Sequence, residues 1–148
     1  MTAALAEARP GKVVCLSTIG ADAPHENLLT QRTLMEQLLE EIGLPVTFLR
    51  PGWFMENALW DVPAARDEGV LRSFLQPADK TFPMVATQDV GRLAAALLRS
   101  QSTQNPLPRI RMLDGFNEGW IEFSDHGRSA MKGTTALESV IAELVRAS

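Results

Sequence analysis

"LMEQLLEEIGLPVTFLR", residues 34–50, changes its hydrophobic period part-way along. Leu34, Met35, Leu38, Leu39 and Ile42 recur at the three- and four-residue spacing of an amphipathic helix. Gly43 is a natural stop, because it takes a left-handed backbone without a Cβ penalty. "PVTFLR" (45–50) then runs apolar without alternation, as a short buried strand does. A helix passing through a tight turn into a buried strand is the second half of a βαβ unit. The first half lies upstream. "KVVCLST" (12–18) is a continuous apolar run and reads as a strand covered on both faces. The polar loop "IGADAPHEN" joins it to the helix, whose stripe extends back to Leu28. With tight connections and no hairpin signal, the two strands are expected to pair in parallel across a right-handed crossover. The fold class is therefore α/β.

Outside this unit the reading is coarser. "ALAEA" (4–8) is the tail of a short helix stopped by Pro10 and Gly11. "ALWDVPAARDEG" (58–69) starts helical, with Pro63 limiting or kinking it. "VLRSFL" (70–75) reads as a short strand, and Met84 and Val85 as extended. "TQDVGRLAAALLRS" (87–100) is a helix with Thr87 as N-cap, Asp89 in its first turn, and an apolar face of Val90, Leu93, Ala94, Leu97 and Leu98. Residues 101–108 read as a polar, proline-containing linker, and 109–148 as a tail with turn signals and a terminal helix. In that helix Thr135 and Glu138 form a capping box ahead of Leu137, Val140, Ile141 and Leu144.

The composition narrows the function classes. A length of 148 residues suits one domain with a real core. The formal net charge of -4 and the scattered Lys and Arg residues leave no stripe to track phosphates, so no nucleic-acid partner is expected. No apolar run approaches a bilayer span, and "MTAALAEARPGK" is no signal peptide, so no membrane partner is expected either. The single cysteine, Cys15, reads as a small buried hydrophobe, which suits a reducing cytoplasm. One cysteine and two isolated histidines, His25 and His126, do not make a zinc site, and no metal is expected.

The ends of the two strands hold the unusual chemistry. In "FLRPGWFMEN" (48–57), Pro51 ends the ladder because it has no N–H, and Gly52 permits close approach by a flat ligand. On the loop that follows, Trp53 and Phe54 are placed to wall a ring, and the Asn57 amide both donates and accepts. Ser17 and Thr18 offer hydroxyls at the end of the first strand. The plainer alternative is that Trp53, Phe54 and Met55 pack over the sheet edge while Asn57 caps the next helix.

In order and spacing, "VVCLSTIGADAP", "LMEQLLEEIGLPVTFLRPGWFMEN" and "MVATQDVGRLAAALL" resemble the NmrA-like family, as does the tail from "MLDGFNEGWIEF" to "KGTTALESVIAELV". This resemblance covers most of residues 4–100 and again about 106–147. It implies an atypical short-chain dehydrogenase/reductase of quinone oxidoreductase type, with a partial Rossmann-like parallel sheet and flanking helices. Residues 1–100 would be the C-terminal half of the NAD(P)-binding domain. The implied cofactor is NADP(H) or NAD(H), and the implied substrate a small quinone or similar carbonyl. Ser17, Thr18 and Ile19 would pass close to the nicotinamide ribose, Pro51, Gly52 and Trp53 would bound the cofactor, and Phe54 and Asn57 the substrate pocket. Asp89 would cap its helix rather than catalyse.

The chain also departs from that pattern. None of its ten glycines forms the Gly-rich turn that cradles a pyrophosphate at a helix N-terminus. It is expected to start just before the fifth strand of the family sheet and to be shortened around residues 101–108. It has no tyrosine, so the Tyr-x-x-x-Lys pair of the wider superfamily is missing; Leu28 and Arg32 stand roughly where that pair would lie. That argues against alcohol dehydrogenase chemistry and leaves quinone reduction open, with no catalytic residue assigned. Two alternatives stand beside the oxidoreductase. One is a non-catalytic regulatory or oligomerisation module, whose half-sheet a homo-oligomer or partner would cover. The other is a non-functional gene fragment.

Overall fold

Two strands, β1 (Val13–Leu16) and β2 (Val46–Leu49), lie parallel, with Val13 opposite Val46 and Leu16 opposite Leu49. The computed structural model describes residues 1–21, 29–71, 81–100 and 133–147. Helix α1 (Thr2–Ala8) precedes β1, and α2 (Thr30–Glu41) connects β1 to β2, which is the expected βαβ unit. Beyond β2 come β3 (Trp53–Phe54), a 3₁₀ helix (Met55–Trp60), α3 (Val62–Glu68), β4 (Met84–Val85), α4 (Thr87–Arg99) and α5 (Leu137–Ala147). β3 and β4 are parallel too, so the architecture is α/β with parallel sheets flanked by helices, consistent with a partial Rossmann-like topology.

The core forms where α2 meets β2. Leu39, Val46 and Phe48 are buried together, with Leu5, Val13, Cys15, Met35, Ile42 and Leu44 packed around them. Full burial of a side chain such as Leu39 contributes about 2 kcal/mol relative to leaving it in water. β2 is buried along its whole length, as its unbroken apolar run predicts. β1 corrects the expectation of two covered faces: it is half-buried, and Leu16 is 51% exposed. The α2 stripe is corrected as well. Met35, Leu39 and Ile42 face the core, whereas Leu34 and Leu38, one turn apart, are 53% and 52% exposed.

Several local readings change. Trp53 and Phe54 do not lie on a loop but form β3, and the 3₁₀ helix follows at once. Pro63 sits in the first turn of α3, where a missing N–H breaks no helical bond, so it starts that helix instead of kinking one. Thr87 is not the cap of α4. The carboxylate of Glu56, from the 3₁₀ helix, accepts from the Thr87 backbone N–H at 2.9 and 3.1 Å and from its hydroxyl at 2.7 Å. At the other end of α4, Lys12 Nζ donates to the Leu97 and Ser100 carbonyls at 3.0 and 2.5 Å, a cation placed against the helix dipole. The Thr135 hydroxyl takes no part in a capping box; it accepts from Gln88 Nε2 at 3.0 Å and Arg92 at 3.2 Å. Cys15 is half-buried, with its thiol pushed up in pKa by desolvation first and Glu36 second, against a lowering from Arg32. Expectations for Leu28, His25, His126, the 101–108 linker and the turns of 109–132 lie outside the described residues, as does most of the strand expected at 70–75.

Among the described residues, no helix is long and apolar enough to cross a membrane.

Candidate functional site

The two strand ends meet. The parallel ladder begins with the Val13 N–H on the Pro45 carbonyl at 2.9 Å and continues past the regular strands. The Ser17 N–H donates to the Leu49 carbonyl at 2.7 Å, and the Ile19 N–H to the Pro51 carbonyl at 2.9 Å. Ser17, Thr18 and Ile19 therefore run directly beside Leu49, Arg50 and Pro51 at the carboxyl edge of the sheet. Pro51 still accepts through its carbonyl but has no N–H to donate. After Gly52 the chain takes a new partner: the Trp53 N–H donates to the Pro83 carbonyl at 3.0 Å, opening the β3–β4 pairing.

Gly52 has a local reason to be glycine. A Cβ there would stand 2.4 Å from the Pro83 carbonyl oxygen, so the close approach it permits is to the chain's own backbone. Trp53 is half-buried and meets Phe82 edge to face, with ring centroids 6.1 Å apart at 74°. Phe54 is half-buried in β3, and Asn57 lies within the 3₁₀ helix, half-buried, rather than at the cap of a following helix. Ser17, Thr18, Ile19 and Pro51 thus share the carboxyl edge of the β1–β2 pair, whereas Trp53 and Phe54 belong to the β3–β4 pair and Asn57 to the 3₁₀ helix.

Electrostatics at this edge come from a pair the sequence reading missed. Glu36 of α2 is 1% exposed and binds the Arg50 guanidinium through both carboxylate oxygens, with Nε to Oε1 at 2.9 Å. The guanidinium also lies 5.9 Å from the Phe48 ring centroid, over its face. The signal was an acid three residues before Leu39, at the margin of the helix's core face, and an arginine ending an apolar strand. Beside this pair, Thr18 Oγ1 donates to the Ile19 carbonyl at 3.2 Å. The Ser17 residue is 5% exposed, and its Oγ has no hydrogen-bond partner among the described residues. A buried hydroxyl without a partner is uncommon, because desolvation is then uncompensated.

A nicotinamide dinucleotide needs a polar contact at its reactive end and backbone N–H groups around its pyrophosphate. Ser17 Oγ has the chemistry of the first, a hydroxyl able to donate and accept. Two described glycines cannot supply the second, since the space beside Gly52 is filled by Pro83 and that beside Gly133 by Asp89. No group of three His, Cys, Asp or Glu side chains among the described residues is arranged to hold a metal ion. An open hollow of about 590 Å³ lies along α5, lined by Leu137, Glu138, Ile141, Ala142, Val145 and Arg146; none of the strand-end residues borders it.

The chain is similar to a reductase. Over 100 residues, 66% of its length, it is 35% identical to the (4-alkanoyl-5-oxo-2,5-dihydrofuran-3-yl)methyl phosphate reductase of Streptomyces griseus subsp. griseus. The match spans 35% of that protein, about a third of its length. No family model matches the chain, and no solved structure matches it significantly.

Proposed function

We propose that this chain forms the reactive-end wall of an NmrA-like, NAD(P)H-dependent reductase site acting on a small carbonyl compound such as a quinone. The observation that carries the reading is the unpartnered, buried Ser17 hydroxyl at the joint carboxyl end of β1 and β2. In open parallel α/β sheets, ligands bind outside that end of the strands. The similarity to a reductase whose name describes an oxo- and alkanoyl-bearing ring supports the same class of substrate. In this reading Ser17 and Thr18 supply hydrogen bonds, Ile19 and Pro51 an apolar floor, and Gly52 and Trp53 the edge of the cofactor pocket. Phe54 and Asn57 bound the substrate, the amide able to donate to a carbonyl oxygen. A reduced nicotinamide, when bound, supplies the hydride. The residues of this chain orient the two reactants and exclude water. With no tyrosine available, no side chain is assigned as proton donor.

The test is tryptophan quenching. With Trp60 and Trp120 replaced by Phe, Trp53 is the sole reporter, and titration with NADPH into the millimolar range should quench it saturably. Ser17→Ala should weaken that response several-fold. An unquenched Trp53 in a folded sample would sink the proposal. A second reading, an interaction or regulatory module, draws on the exposed Leu16, Leu34 and Leu38.

A further inference from the structure

The N-terminus of α4 ties two other elements together through two carboxylates. Glu56, from the 3₁₀ helix, reaches it at Thr87. Two residues on, Asp89 receives the start of the C-terminal segment. Its Oδ2 accepts the Thr135 backbone N–H at 2.9 Å, and its Oδ1 accepts the Thr134 hydroxyl at 3.1 Å and the Arg92 guanidinium. A Cβ on Gly133 would stand 2.6 Å from Asp89 Oδ2, so the chain crosses the carboxylate at a distance that favours glycine. Immediately beyond, α5 packs on the 3₁₀ helix and buries Val140. The circuit closes: 3₁₀ helix to α4, α4 to Gly133–Thr135, and α5 back to the 3₁₀ helix.

We propose that Gly133–Thr135 and α5 form a strap, seated on Asp89, that fixes the 3₁₀ helix carrying Asn57. The balance of contacts makes this a seat rather than ordinary core. Val140 is the one buried residue of α5, whereas Asp89 is itself buried and, with Gln88 and Arg92 beside it, holds the start of the strap by polar bonds. An element with few buried apolar contacts opens locally at a small fraction of the global unfolding free energy, so these bonds set how often α5 lifts. When it lifts, the 3₁₀ helix loses the cover on one side and keeps its packing on α3 and its Glu56 tie to α4. Asp89 is thus a positioning residue, acting through α5. That the strap thereby shapes a substrate pocket rests on the strand-end reading above; the mechanical coupling does not.

Hydrogen exchange on the ligand-free chain separates the two. In Asp89→Ala, amides of both 137–147 and 55–60 should exchange roughly tenfold faster than in the wild type, while β1 and β2 keep their protection. Gly133→Ala should do the same by crowding the carboxylate. Thr134→Ala, which removes the hydroxyl bonds to Asp89 and Arg92 but leaves the Thr135 N–H on the carboxylate, should give a smaller change in the same two segments and serves if Asp89→Ala does not fold. Acceleration confined to 137–147 would overturn the proposal, as would an equal rise in every element or no change at all. The result stands whether or not NADPH quenches Trp53.

Discussion

Ser17 and Glu36 are both buried polar residues, and they make opposite predictions. The Ser17 hydroxyl has no partner, so Ser17→Ala should leave stability unchanged or raise it by about 1 kcal/mol, seen as a higher urea midpoint. A lower midpoint would show that the hydroxyl is satisfied and would remove the main support for a ligand there. Both carboxylate oxygens of Glu36 are paired, so Glu36→Ala should destabilise by about 1.5–3 kcal/mol, because it removes two buried charge-assisted bonds to Arg50. Replacing both partners, Glu36→Leu with Arg50→Met, should recover most of that loss in the same assay. If Glu36→Ala costs no more than a surface substitution, the pair is not desolvated as described. At this scale the sequence showed residue types but not their partners. Ser17 was identifiable as a strand-end residue, whereas the place of Trp53 in β3 depends on its pairing with β4, and the tie between Glu36 and Arg50 on where α2 lies against β2.

The elements themselves were legible where period and punctuation agree. Gly43 ends α2 with a positive φ of 65°, and the change from helical spacing to an unbroken apolar run marks β2. Readings failed where a distant group took over a local role. Thr87 has the chemistry of an N-cap, but Glu56 caps α4 from 31 residues away; Thr135 has the chemistry of a capping box, but Asp89, Gln88 and Arg92 engage it. The Asp89 seat also carries a pH signature. The Thr135 N–H is the chief cause that lowers the Asp89 pKa from 3.8 to about 2, with Arg92, Thr135 and Thr134 side chains helping and burial opposing. A carboxyl lowered on folding stabilises the folded state above its unfolded pKa, and that contribution is lost as pH falls toward the folded value. The stability advantage of wild type over Asp89→Asn should therefore be constant above about pH 5 and shrink progressively toward about pH 2. Urea midpoints of the two proteins across that range check it; a constant difference would mean that the carboxylate charge is not what holds Thr135.

For the whole molecule, the α/β class and the βαβ unit could be read from residues 12–50, but the exposure of their apolar faces could not. A continuous apolar run says that a strand is fit to be covered, not which face is. Leu16 on β1 and Leu34 and Leu38 on α2 show the difference, each about half exposed although the pattern marks all three for burial. Single exposed leucines are ordinary; a helix that presents Leu34 and Leu38 on one face, beside a core-facing stripe, offers a second apolar surface. Exposed apolar surface of this kind favours association, since each buried leucine contributes about 2 kcal/mol. The chain should therefore self-associate with rising concentration, with the mass from sizing chromatography and light scattering climbing above that of one copy. Leu34→Lys with Leu38→Lys should return it to a single copy without lowering the urea midpoint, because neither side chain supports the core. If the double variant instead unfolds, these leucines are covered within the monomer. If it associates as strongly as the wild type, contact between copies lies elsewhere on the surface.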